Sequence, residues 1–138
     1  MLLDSADAIN APADAARQVA TTMIDYTARF GTDPDGGIWR WGPLGKPPSD
    51  RYYETWAQAE ALMGFTMMLR RTEDDVYADR LRAVWAFIRA YCVDPVVGEW
   101  HELLDPDRRG HGPKGSLWKA GYHSTRALLD AAALLRAG

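Results

Sequence analysis

Tyr52-Tyr53-Glu54-Thr55-Trp56-Ala57-Gln58-Ala59-Glu60-Ala61-Leu62-Met63 reads as the opening of a buried helix that carries an indole and a carboxylate four residues apart. Residues at i and i+4 share one face of a helix, so Trp56 and Glu60 are predicted to point the same way. Carboxylates are rarely buried unless something pairs with them. Gln58, two residues from Glu60, points away and is read as structural. An indole beside a carboxylate also suits a sugar, whose ring presents an apolar face and whose hydroxyls need acceptors.

Outward from this segment, the pattern predicts a helix from about Arg51 to Arg70. It carries Trp56, Leu62, Met63, Phe65, Met67, Met68 and Leu69 nearly all round, which suits burial on several sides. An earlier helix opens at Pro12, shows Ala15, Val19, Met23, Tyr26 and Phe30 at helical spacing, and ends near Gly31. Thr72-Glu73-Asp74-Asp75 caps a third helix with Val76, Leu81, Val84, Trp85, Ile88 and Tyr91. The last runs from about Gly121 to Arg136. Asp33-Pro34-Asp35-Gly36-Gly37 and Asp94-Pro95-Val96-Val97-Gly98 are turns. Ile38 to Trp41 and Trp100 to Leu104 are short extended pieces, and polar, glycine- and proline-rich loops follow each. The two halves repeat one order: helix, turn, strand, loop, helix. The class is all-α, two helical hairpins with short extended segments in the loops. No linker divides residues 1–138, which are read as one domain.

The 16 basic and 19 acidic residues form no basic stripe, which argues against a nucleic-acid partner. The single cysteine, Cys92, excludes an intrachain disulfide and a multi-cysteine metal site, and is read as a small core residue. His101 and His111 lie in loops without metal-ligand spacing, so no metal is expected. No phosphate-cradling loop, dinucleotide fingerprint or nucleophile elbow occurs, and no cofactor is expected. The N-terminus lacks the charge and apolar run of a secretory signal, and no stretch is long enough to span a membrane. The expected location is cytoplasmic, with no membrane partner.

Three segments in order, Trp56 to Phe65, Asp94 to Trp100, and Trp118 to Leu128, resemble the N-acylglucosamine 2-epimerase and cellobiose 2-epimerase family. That family's segments look like W-x-Q-A-E-A-[LM]-x-G-F, D-P-x-x-G-E-W and W-K-x-x-Y-H-x-x-R-A-L. Thr32 to Trp39 resembles its D-x-x-x-G-G turn. Each piece alone is weak; four in register are specific. The resemblance covers nearly all of the chain from about Ala15 onward and is to only the C-terminal third or so of the family's (α/α)6 barrel. The resemblance implies a partial (α/α)6 barrel, with the second helix of each hairpin inside and the long loops gathered over the site.

It further implies a sugar 2-epimerase or aldose–ketose isomerase working through a cis-enediol, with a mono- or disaccharide as substrate. His123 takes the role of general acid/base, for which imidazole is suited by its ordinary pKa of about 6.5. Without the resemblance, His123 reads as a capping or core histidine. Glu60 orients sugar hydroxyls or tunes a histidine, or pairs with Arg126, Arg51 or Lys119. Trp56 walls the sugar or is a plain core indole. Trp118 and Lys119 are rim residues of the same cleft. Glu99 and Trp100 lean over the site or form a structural hairpin. Thr55 stands where the family often has a second tryptophan.

The family's second base lies in an H-x-x-E helix, and no such motif occurs here. The chain is therefore expected to be an incomplete fragment that forms a homo-oligomer or binds a complementing N-terminal half, with little epimerase activity alone. A non-catalytic carbohydrate-binding module is the alternative. A glycoside hydrolase is the weakest reading, because it needs two spaced carboxylates and only Glu60 stands out.

Overall fold

A computed structural model describes residues 13–137. The expected helix start at Pro12 lies outside them. Helix α1 spans Ala13–Tyr26 and continues into a π-helical turn, Thr27–Gly31. Helix α2 spans Thr55–Thr72. Helix α3 spans Asp75–Phe87 and also continues into a π-helical turn, Ile88–Cys92. Helix α4 spans Tyr122–Arg136.

The helix ends follow local chemistry. Asp74 caps α3, its carboxylate accepting from the Val76 N–H at 2.9 Å. Glu73 closes α2 in the left-handed conformation (φ 55°), donating its N–H to the Leu69 carbonyl. Arg70 and Arg71 sit in the last turn of α2, where the helix dipole favours cations.

Helix α2 is the hub and packs against α4, α3 and α1. Alanines line the helices where they meet: Ala59 and Ala61 on α2, and Ala127 and Ala131 on α4, are all buried. Phe65, Val84, Phe87, Ile88, Cys92 and Leu104 are the most deeply buried apolar side chains beside them. Cys92 is fully buried, and burial pushes its thiol up to about 12, as suits a core residue. Apolar side chains stay exposed on the outer elements, among them Val19 and Met23 on α1 and Leu129 and Leu135 on α4.

The predicted helix over 51–70 begins four residues later than expected. Tyr53–Glu54 instead forms strand β1, paired antiparallel with β2, Leu103–Leu104. Strand β3, Gly110–His111, pairs with β2 and completes the three-stranded sheet β1-β2-β3. The partner strand is about fifty residues away, and its hydrogen bonds win Tyr53 and Glu54 from the helix. Of the two expected extended pieces, Trp100 to Leu104 supplies β2 at its end and the bridge Val93↔Trp100 at its start, while Ile38 to Trp41 keeps only the bridges Thr32↔Ile38 and Trp41↔Asp50.

Gln58 is structural, as expected, and fully buried. Its side-chain oxygen accepts from the Ile38 N–H at 2.7 Å and its amide donates to the Ile38 carbonyl at 2.8 Å. The amide thus acts as a strand partner for Ile38 and ties the first loop to α2. Losing such a buried pair costs about 1–3 kcal/mol.

Candidate active site

Helices α2 and α4 present their N-terminal turns to a cleft of about 530 Å³, within the size range of small-molecule sites. The loops gather over it. Its walls include Trp56 from α2, His123 from α4, Trp118, Lys119 and Ala120 from the loop before α4, Trp100 and Glu102 from the second turn region, and Arg40 from the first loop.

The sequence-predicted residues come together. His123 Nδ1 lies 2.7 Å from Glu60 Oε1. The Trp56 and His123 rings are 5.8 Å apart at 45°, so the indole and imidazole share one wall. Glu60 also accepts from Arg126, one of the three partners proposed for it. Arg126 in turn lies over the Tyr122 ring at 5.4 Å. Burial works to raise the Glu60 pKa, but the hydrogen bonds and charges of Arg126 and His123 outweigh it and hold the carboxyl below its ordinary value. Glu60 is therefore ionised and acceptor-only, so His123 Nδ1 carries the proton toward it. Among the described residues no partner engages Nε2. That nitrogen is free to meet a ligand.

The rim residues differ from one another. Trp118 is 90% exposed and free to lie against a ligand. Lys119 lines the cleft but is 9% exposed, and its ammonium is held by Glu99 at 3.0 Å. Glu99 also accepts from the Trp100 N–H at 2.6 Å. Lys119 therefore anchors the loop as much as it lines the rim. Trp100 is buried and also lines the cleft, while Gly98 before it is exposed.

Three groups of the wall are not evident from the sequence pattern. Arg40 faces the cleft, and its Nε donates to Glu54 at 2.9 Å. The other Glu54 oxygen accepts from the indole N–H of Trp56 at 2.6 Å. The Trp56 ring plane is thus set by a carboxylate that an arginine holds. The only sequence signal was the alternation that separates Arg40 from Trp39 and Trp41. Glu102, just before β2, is the third.

Among the described residues no group of three or more histidine, cysteine, aspartate or glutamate side chains is placed to hold a metal. No helix of the described residues is long and apolar enough to cross a membrane.

The family model described as N-acylglucosamine 2-epimerase matches residues 1–127. Cellobiose 2-epimerase of Dictyoglomus turgidum is 35% identical over 77 residues, covering 54% of this chain and 20% of that protein. D-mannose isomerase of Thermobifida fusca is 35% identical over 75 residues, covering 52% of this chain and 18% of that protein. The solved structure of cellobiose 2-epimerase from Bacillus thermoamylovorans superimposes with a TM-score of 0.76 at 23% identity, covering 88% of this chain and 31% of that one. The fold is thus part of an (α/α)6 barrel, as expected. The chain spans about a fifth of the length of the curated relatives it matches.

Proposed function

The chain belongs to the N-acylglucosamine 2-epimerase family, and from that premise we propose that it carries one proton-transfer site of a sugar 2-epimerase or aldose–ketose isomerase. The observation that carries the reading is the His123–Glu60–Arg126 relay, of which His123 stands in the cleft wall beside Trp56 while Glu60 and Arg126 hold it from outside the lining.

In this reading the carbonyl of an open-chain aldose acidifies its C2 proton. His123 Nε2 removes that proton while Nδ1–H donates to ionised Glu60. Glu60 steadies the imidazolium that forms, and Arg126 keeps Glu60 ionised. Trp56 walls the sugar ring with an apolar face, and the exposed indole of Trp118 covers it from the rim. The product of this step is a cis-enediol. Return of the proton to C1 on the same face gives the ketose. Return to the opposite face of C2 gives the epimer and needs a second proton carrier, which no H-x-x-E motif of this chain provides.

Residues 1–138 are accordingly read as one C-terminal domain of a larger barrel, complemented by an N-terminal half or by another copy. The exposed apolar side chains on α1 and α4 support that reading. Little epimerisation is expected from the chain alone, with same-face isomerisation the activity that survives.

Deuterium exchange at C2 of D-mannose and of cellobiose tests the assignment, with the chain supplied with its complementing half. His123→Ala is expected to slow the exchange by about 10²–10⁴-fold. Unchanged deuterium uptake refutes the assignment. Sugar binding without any exchange by the wild type favours a non-catalytic binding module instead.

A further inference from the structure

Apart from the His123 ring, which the relay already uses, the ionisable groups of the cleft wall are paired off with one exception. Arg40 is held by Glu54 and Lys119 by Glu99, and Glu60, which touches the wall only through His123, is held by Arg126 and that ring. Glu102 lines the same cleft, and among the described residues its carboxylate makes no hydrogen bond or ion pair. We propose that Glu102 is a specificity-determining residue: its carboxylate accepts hydroxyl hydrogen bonds from the sugar and disfavours sugars that carry a negative charge. The inference rests on the sugar-cleft reading above and adds a residue to it.

Two features hold Glu102 in place for this task. Its backbone carbonyl accepts from the Thr55 N–H at 3.2 Å, and the Thr55 hydroxyl donates to the adjacent His101 carbonyl at 2.5 Å. Thr55 is the first residue of α2, so Glu102 is pinned at the same corner as Trp56. On the other side Gly112 packs against the side chain. A Cβ added there would lie 2.6 Å from Glu102 Oε2 and 2.9 Å from Glu102 Cβ, and its φ is +83°. The loop therefore approaches Glu102 through a residue without a side chain, which leaves the carboxylate its place at the wall.

An ionised carboxylate only accepts. Half-buried and unpaired, it depends on water for its hydrogen bonds, and a ligand that displaces the water must return donors or lose affinity. Sugar hydroxyls are such donors. A phosphate or a second carboxylate offers none when ionised and adds like-charge repulsion, with Lys119 and Arg40 already neutralised by their partners.

Calorimetric titrations with D-mannose, cellobiose and D-mannose 6-phosphate decide the matter, on the wild-type chain, Glu102→Gln and Glu102→Ala, each supplied with the complementing half. Circular dichroism melts confirm that each variant is folded. Should Glu102→Ala unfold, the isosteric Glu102→Gln carries the decision. Affinity for the two neutral sugars is expected to fall about 10-fold in both variants, the loss for one hydrogen bond to a charged acceptor. The preference for mannose over its phosphate should also narrow in Glu102→Gln, because charge is lost while shape is kept. Wild-type affinity for the neutral sugars in both variants overturns the inference while leaving the sugar reading intact. An unchanged preference against the phosphate in Glu102→Gln overturns the charge discrimination. A wild-type chain that binds neither neutral sugar overturns the sugar reading and this inference with it.

Discussion

The turns at Asp33–Gly37 and Asp94–Gly98 are built from one pattern and serve different ends. Each follows a π-helical turn, and each is flanked by a bridge, Thr32↔Ile38 or Val93↔Trp100. In each, the aspartate accepts backbone N–H groups two residues on and beyond: Asp35 and Gly37 at 2.8 and 2.9 Å, and Val96 and Val97 at 2.8 and 3.3 Å. Each has a glycine in the left-handed region, Gly36 at 94° and Gly98 at 79°. The surroundings separate them. Asp33 is buried, takes the Tyr53 hydroxyl at 2.7 Å, and faces Arg108, which also pairs with Asp35. Asp94 lies nearer solvent and pairs with Lys114 at 2.7 Å. Lys114 also contacts His101 at 3.0 Å, in the loop that leads on to Trp118 and Lys119. The first turn is therefore a piece of the core, and the second is a tether for a cleft-lining loop. A shared local motif sets the shape of a turn; what packs on it sets its job.

The glycines give the widest contrast. A Cβ on Gly36 would lie 2.5 Å from the Ala83 backbone carbon, while one on Gly98 meets nothing within 4 Å. Gly36→Ala should therefore cost about 3–5 kcal/mol, combining a strained φ with a backbone collision. Gly98→Ala should cost about 1 kcal/mol, for the φ alone. Urea unfolding of the two variants measures both. Equal losses would erase the distinction between core turn and tether.

The aspartates come next. Asp33→Ala strands buried donors of the turn and of Tyr53, along with the Arg108 charge, and should cost about 2–4 kcal/mol. Asp94→Ala should cost much less, because water replaces what Lys114 loses. Thermal melts at neutral pH read the difference, and a larger loss at Asp94 would reverse the assignment of core and tether.

The smallest effect is one of pH. The hydrogen bond from Lys114, then those from Val96 and Val97 N–H, hold Asp94 down to about 2 from an ordinary 3.8. A carboxylate depressed in the folded state stabilises above its unfolded pKa and loses that contribution as pH falls through its folded one. The Asp94 tether should thus be intact above about pH 4 and fade toward pH 2. Asp94→Asn should remove that share of the acid-induced fall in Tm. Parallel acid titration curves for the Asp94→Asn variant and the wild-type chain would show that the tether carries no stability.

Much of the site was legible because its signals are local. The i,i+4 spacing aligned Trp56 with Glu60, and the glycine-led entry to the last helix placed His123 in its first turn. Arg126 was already among the partners proposed for Glu60. The strand character of Tyr53 and Glu54 was not legible, because it depends on Leu103 and Leu104. Nor was the part of Arg40. Its position follows from the Arg40 N–H bond to the Tyr52 carbonyl and from the Glu54 carboxylate, neither near it in sequence.

By itself, then, the sequence determined the four helices, both turns, the structural part of Gln58 and the face shared by Trp56 and Glu60. Helical periodicity, capping and turn chemistry act over a few residues and leave their mark in order along the chain. Only the tertiary structure decided which charges are neutralised, which loop is core and which is tether, and which carboxylate of the cleft stays unpaired. Those outcomes depend on distance and burial between segments far apart in the chain, and the strength of a charge pair is set by its surroundings rather than by the residues that make it.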